Sequence, residues 1–137
     1  MINSKVFTSK MKLENNANNT PLHLASMSGL LDVVQLLTSN GWSISPKNQA
    51  KETPIYNACK YGHTNIVKHL LECKGNIKFL EGTFSPLHIA CKGGHRQVAE
   101  LLLSNKANIE AKQKTQFTPL HIACENGHLN CVKLLIS

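Results

Sequence analysis

One phrase occurs four times along this chain, and that repetition constrains the fold more than any other feature. It reads TPLHLA from Thr20 to Ala25, TPIYNA from Thr53 to Ala58, SPLHIA from Ser85 to Ala90 and TPLHIA from Thr118 to Ala123. The starts lie 33, 32 and 33 residues apart, and a glycine follows each start by nine residues: Gly29, Gly62, Gly94 and Gly127. An apolar group comes next, built on Val33-Val34 and Leu36-Leu37, on Ile66-Val67 and Leu70-Leu71, on Val98-Ala99 and Leu101 to Leu103, and on Cys131-Val132 and Leu134 to Ile136. Three anchors held in register over four copies identify a repeat array, in which each unit is one small supersecondary element that buries its apolar face only against its neighbours.

Each copy reads as two short helices. Thr or Ser at the N-cap accepts from orphan backbone N–H groups, and Pro at the next position has no N–H to lose and a φ suited to a helix. Leu22 and Ala25, three apart, give the first helix one apolar stripe. The glycine enters the left-handed region and ends it. The second helix carries a wider stripe, suited to burial on two sides. About a dozen mostly polar residues then lead to the next Thr-Pro, with Ile44, Ile77 and Ile109 as apolar anchors.

These residues make the chain resemble the ankyrin-repeat family, whose unit is 33 residues long with a T-P-L-H-x-A element. The resemblance covers residues 20–137 and implies an all-α repeat solenoid of stacked helix-turn-helix repeats joined by β-hairpin fingers. The units are 20–52, 53–84, 85–117 and 118–137, with 1–19 as an N-terminal arm or partial capping repeat. It also implies that fingers and first helices line a concave groove that binds other proteins, and that His23, His88 and His121 bond to the cap hydroxyl. The departures from the pattern are local. Tyr56 replaces the expected His, His69 stands where the other copies have Leu36, Leu101 and Leu134, and the third copy start comes one residue early, through a deletion within Asn76 to Phe84. The finger glycine is missing, with Asn18, Lys51, Thr83 and Gln116 in its place, and Gly41 gives way to Lys74 and Lys106, both poorer than Gly in the left-handed region.

Seven histidines and five cysteines invite a metal reading, with His88/Cys91 and His121/Cys124 as paired ligands. Repetition argues against it. Equivalent residues of stacked helices lie roughly 10 Å apart, too far to share a zinc at about 2 Å per ligand. Cys59, Cys91 and Cys124 occupy one small-residue register, Cys131 replaces Val or Ile, and Cys73 alone falls outside the buried register. The recurring Thr–His pairs do not form a catalytic site, because an N-cap oxygen is committed to backbone donors and an active site is not copied three times. No Gly-Lys-Ser/Thr phosphate loop is present. No catalytic, metal or cofactor residue is therefore assigned, and the chain is not read as an enzyme.

The net charge of +7 divides as +2 over 1–52, +2 over 53–84, +3 over 85–117 and 0 over 118–137. Such a smear, without a basic cluster, argues against nucleic acid. No apolar run is long enough for a bilayer, and the polar start has no signal-peptide h-region. Five cysteines in that setting suit a reducing compartment, so the expected location is cytoplasmic or nuclear.

What remains is surface recognition. The family's variable groove positions map onto the residue before each Thr or Ser, onto the pair before each glycine, and onto the finger tips. The expected partner-binding residues are Met27, Glu52, Lys60, Tyr61, Phe84, Lys92, Lys114, Thr115, Phe117, Glu125 and Asn126. Phe84 and Phe117, aromatics at one repeat position, are either exposed anchors or packing between fingers. Lys60, Lys92 and Lys114 favour another protein with an acidic surface. Trp42 is expected to cover the N-terminal edge with Val6 or Phe7, with an exposed partner site as the alternative. The last helix has no polar closing helix after it, which leaves open fraying, end-to-end self-association or a longer chain. The competing role is a regulatory or structural segment of a larger multidomain protein, docking intramolecularly.

Overall fold

The computed structural model describes residues 17–75, 77 and 83–137. Among them lie eight helices in four pairs: α1 (Pro21–Ser28) with α2 (Leu31–Ser39), α3 (Pro54–Lys60) with α4 (Thr64–Glu72), α5 (Pro86–Lys92) with α6 (Arg96–Ser104), and α7 (Pro119–Glu125) with α8 (Leu129–Ile136). First helices stack on first helices and second on second, so the pairs repeat sideways as the sequence period requires.

Each first helix starts on its hydroxyl cap. The side chains of Thr20, Thr53, Ser85 and Thr118 accept from the backbone N–H three residues on, with Pro at the first helical turn. Gly29, Gly62, Gly94 and Gly127 take φ of 75°, 76°, 74° and 70°. The chain then turns within two residues. His63 N–H donates to the Ala58 carbonyl and Gly62 N–H to Cys59, the paired bonds of a Schellman closure, repeated at His95 and Gly94 and at His128 and Gly127.

Lys74 and Lys106 adopt φ of 67° and 69° despite their side chains. The same paired bonds explain why: Gly75 to Leu70 with Lys74 to Leu71, and Ala107 to Leu102 with Lys106 to Leu103. Satisfying the last carbonyls and burying Leu70 and Leu102 outweighs a left-handed cost of roughly 1–2 kcal/mol. Asn18, Lys51 and Gln116 are left-handed too, at the position where the finger glycine is missing.

The fingers close by single turns. Lys51 N–H donates to the Asn48 carbonyl and Asn48 N–H to Glu52; Gln116 donates to Gln113 and Gln113 to Phe117. Gln49 N–H reaches the Ala17 carbonyl of the preceding finger. No run of strand forms among the described residues.

The core is one continuous spine. Leu22, Ile55, Leu87 and Ala123 come from first helices, and Val34, Val67, Val98 and Cys131 from second helices. Trp42 is half-buried against it, while Val6 and Phe7, its expected companions, lie outside the described residues, as does most of the shortened third-copy finger.

Candidate functional site

The recurring imidazoles tie neighbouring repeats together. In His23 the ring Nδ1 accepts from the Thr20 backbone N–H at 3.0 Å, which leaves the proton on Nε2, and Nε2 donates to the Glu52 carbonyl at 2.8 Å. His88 repeats this with Ser85 and the Phe117 carbonyl, at 3.2 and 2.7 Å. A second set reaches backward: Nε2 of His63, His95 and His128 donates to the carbonyls of Met27, Lys60 and Lys92 at 2.9, 3.0 and 2.9 Å. Each of these three rings lies against the glycine of the previous repeat, where an added Cβ would come within 2.4–2.7 Å of it. Glycine is thus needed twice over, for its φ and for the ring.

That lattice fixes the backbone at five of the expected partner-binding positions. Met27, Lys60 and Lys92 are held through their carbonyls, as are Glu52 and Phe117. Their side chains are left free to vary. Lys60, Tyr61 and Lys92 are exposed, Met27, Phe84 and Phe117 half-buried. Lys92 Nζ stands 5.2 Å from the Phe84 ring centroid and Lys60 Nζ 5.8 Å from that of Tyr61. Phe84 packs edge-on to His88 at 6.0 Å, and Phe117 stacks on His121 at 5.2 Å. Each ring therefore contacts the histidine four residues on, in the repeat that follows it, and keeps part of its surface open. Lys114 and Thr115 are exposed on a finger turn, where Thr115 Oγ1 bonds to Gln113 Oε1 at 2.7 Å. Asn126 bonds back to the Ile122 carbonyl at 2.8 Å, and Glu125 is exposed. Neither the Lys114 nor the Glu125 side chain joins the others by a hydrogen bond or ion pair among the described residues.

Asn48 and Asn57 form part of the site that motif spacing did not single out, and Asn19, the residue before Thr20, joins them. All three are buried. Asn48 Nδ2 donates to Asn19 Oδ1 at 2.9 Å, Asn57 Nδ2 to Glu52 Oε1 at 3.0 Å, and Glu52 N–H to Asn48 Oδ1 at 2.9 Å. The available signal was TPIYNA itself, which departs from the other copies at two adjacent positions, Tyr56 and Asn57.

A family model described as ankyrin repeats in three copies matches the chain at residues 3–80, 41–113 and 80–137. The chain belongs to the ankyrin-repeat family. Ankyrin repeats as a class bind other proteins. Among curated relatives, a probable E3 ubiquitin-protein ligase of Oryza sativa subsp. japonica is 37% identical over 59 residues, covering 43% of this chain and 11% of that protein. A transient receptor potential cation channel subfamily A member 1 homolog of Caenorhabditis elegans is 32% identical over 72 residues, 53% of this chain and 6% of the channel. The human ankyrin repeat and IBR domain-containing protein 1 is 38% identical over 55 residues, 40% of this chain and 5% of that protein. The matched stretch is about a tenth or less of each relative's length.

In the ankyrin frame the thiols separate by repeat. Cys59, Cys91 and Cys131 are buried, and burial pushes the Cys91 thiol up to about 12. Cys73 is half-buried, with Sγ 3.5 Å from His69 Nε2, which also bonds Thr38 Oγ1 at 2.9 Å. Cys124 is exposed. It shares the register of Cys59 and Cys91, so Cys73 is not alone outside the buried set. The reason is that α7 packs on α5 and has no described repeat on its other side. Among the described residues no three His, Cys, Asp or Glu side chains converge as a metal would need, and no helix is long and apolar enough to cross a membrane.

Proposed function

We propose that this ankyrin-repeat chain is a non-catalytic binding module that takes a partner protein along the groove lined by its fingers and first helices, in the cytoplasm or nucleus. The observation that carries the reading is the pair Phe84 and Phe117. The two rings occupy one repeat position and are half-open; Phe117 sits on a backbone that His88 holds, and Phe84 packs on the ring of that same His88. Aromatic anchors on a rigid frame lose little conformational freedom on binding. Met27 and Tyr61 extend the apolar surface. Lys60, Lys92 and Lys114 favour acidic groups on the partner, while Glu52, Thr115, Glu125 and Asn126 give it a polar rim. The spread of charge over the repeats speaks for a protein surface rather than nucleic acid.

A double variant, Phe84→Ala with Phe117→Ala, tests this. Partner capture by the immobilised protein is expected to be lost while the melting temperature stays within a few degrees of wild type. A large fall in melting temperature would assign the rings to packing and remove them from the interface.

Two further contacts are part of the proposal. His121, Cys124, Leu129 and Ile136 are exposed on the fourth repeat, which supports end-to-end self-association there, read as a concentration-dependent mass in light scattering. The small share of each relative that is matched supports a regulatory role for such repeats inside longer proteins, docking on a neighbouring domain.

A further inference from the structure

The second repeat gives up two motif residues at once, and both changes converge on Glu52. Where the other repeats place Leu24, Ile89 and Ile122, this one places Asn57, only 1% exposed, whose Nδ2 donates to Glu52 Oε1 at 3.0 Å. Asn57 Oδ1 is buried with no hydrogen-bond partner among the described residues, so the amide is oriented for the carboxylate at the expense of its own acceptor. Where the other repeats place His, this one places Tyr56. Burial, and next to it the Glu52 charge, pushes the Tyr56 hydroxyl well above the usual phenol range, so it remains neutral beside that carboxylate.

Glu52 itself is held at every polar group but one. Its N–H donates to Asn48 Oδ1 at 2.9 Å and its carbonyl accepts from His23 Nε2 at 2.8 Å. Oε1 accepts from Asn57 and, at 3.4 Å, from Asn48 Nδ2. Oε2 has no hydrogen bond among the described residues. The donors around the carboxylate are neutral amides, and no Lys, Arg or His lies within ion-pair distance of it among those residues, in a chain carrying nearly twice as many basic as acidic side chains. A carboxylate that is half-buried, fixed in orientation and without a countercharge has already met the ordering cost of forming an ion pair.

We propose that Glu52 is the receptor for a basic side chain of the partner. This rests on the groove reading above and sharpens it. The bound segment carries Lys or Arg over the junction of the first and second repeats and acidic groups opposite Lys60 and Lys92. Glu52 thereby selects among acidic segments, rejecting those that are acidic throughout, because a like charge facing a half-buried carboxylate without a countercharge is repelled.

A random-peptide library displayed on phage, selected in parallel on the wild-type protein, on Glu52→Gln and on Phe117→Ala, tests the assignment. Gln keeps an acceptor for Asn57 and removes only the charge. Peptides selected on wild type are expected to share one Lys or Arg at a fixed spacing from their acidic residues, and to bind Glu52→Gln at least about tenfold more weakly. Replacing that basic residue by norleucine is expected to cost the same factor on wild type and nothing on Glu52→Gln, a comparison that holds even if the variant is less stable. Peptides that need Phe117 but carry no fixed basic residue, or tolerate norleucine on wild type, would overturn this inference and leave the groove reading standing. No selected peptide, or peptides indifferent to Phe117→Ala, would overturn both.

Discussion

His88 Nε2 lies 2.7 Å from the carbonyl oxygen of Phe117, a residue of the next finger and 29 positions on in sequence. Its Nδ1 is occupied by the Ser85 N–H, so one neutral imidazole closes a helix cap and bolts two repeats together. His121 repeats the cap, with Nδ1 3.0 Å from the Thr118 nitrogen, but its Nε2 has no onward carbonyl among the described residues.

That pair gives a matched comparison. His88→Ala is expected to cost about 2–3 kcal/mol, from a lost inter-repeat bond, a weakened cap and the cavity left by a fully buried ring, and His121→Ala about 1 kcal/mol, from the cap alone. Urea denaturation of both variants measures the difference; equal losses would mean that the bond to Phe117 adds nothing.

Burial lowers the pKa of His88 below 6.5, with the Phe117 and Ala111 backbone bonds pulling weakly the other way. The unfolded chain thus takes up this proton before the folded one does. The contribution is full above pH 6.5, begins to fall as the pH drops past that value, and is gone once the pH is below the folded-state pKa. Urea stability measured from pH 8 to pH 5 should fall less steeply for His88→Gln, which keeps a capping side chain and does not titrate.

Gly62 and Gly127 share a register and a φ, 76° and 70°, but not an environment. An added Cβ on Gly62 would come within 2.4 Å of His95, and on Gly127 it would meet nothing within 4 Å. Gly127→Ala is expected to cost about 1–2 kcal/mol for the backbone alone. Gly62→Ala is expected to lose a further ~1–3 kcal/mol by displacing the ring that bonds Lys60. Thermal melts of the two variants separate these contributions.

Ser26 occupies the register of Cys59 and Cys91, is fully buried, and its hydroxyl has no hydrogen-bond partner among the described residues. Removing the oxygen in Ser26→Ala is expected to raise stability by about 1 kcal/mol. A lower melting temperature would mean that the hydroxyl is satisfied in solution.

What the sequence disclosed was whatever is written locally. Thr-Pro at a cap, Gly nine residues on and an apolar stripe each act within one helical turn, and the helices begin and end where those residues stand. Links across about 30 residues are of a different kind. The histidines repeat visibly, yet nothing in their spacing says that Nε2 reaches Glu52 or Phe117 forward and Met27, Lys60 or Lys92 backward. Local preference also misjudged Lys74 and Lys106, because the two backbone bonds that end each helix decide the turn before the side chain does. Register alone could not separate Cys124 from Cys91, since burial there comes from the next repeat. Within the groove, the aromatic and lysine positions could be read from the repeat, but the amides that orient Glu52 could not, because Asn48 and Asn57 belong to different elements.

The most direct test of groove binding is hydrogen–deuterium exchange of the protein alone and with a partner recovered by capture. The account predicts slowed exchange at 48–61, 83–93 and 113–126, the finger ends and first helices, with little change in Thr64–Glu72 and Arg96–Ser104. Slowing confined to those second helices, with the first helices and fingers unaffected, would contradict it.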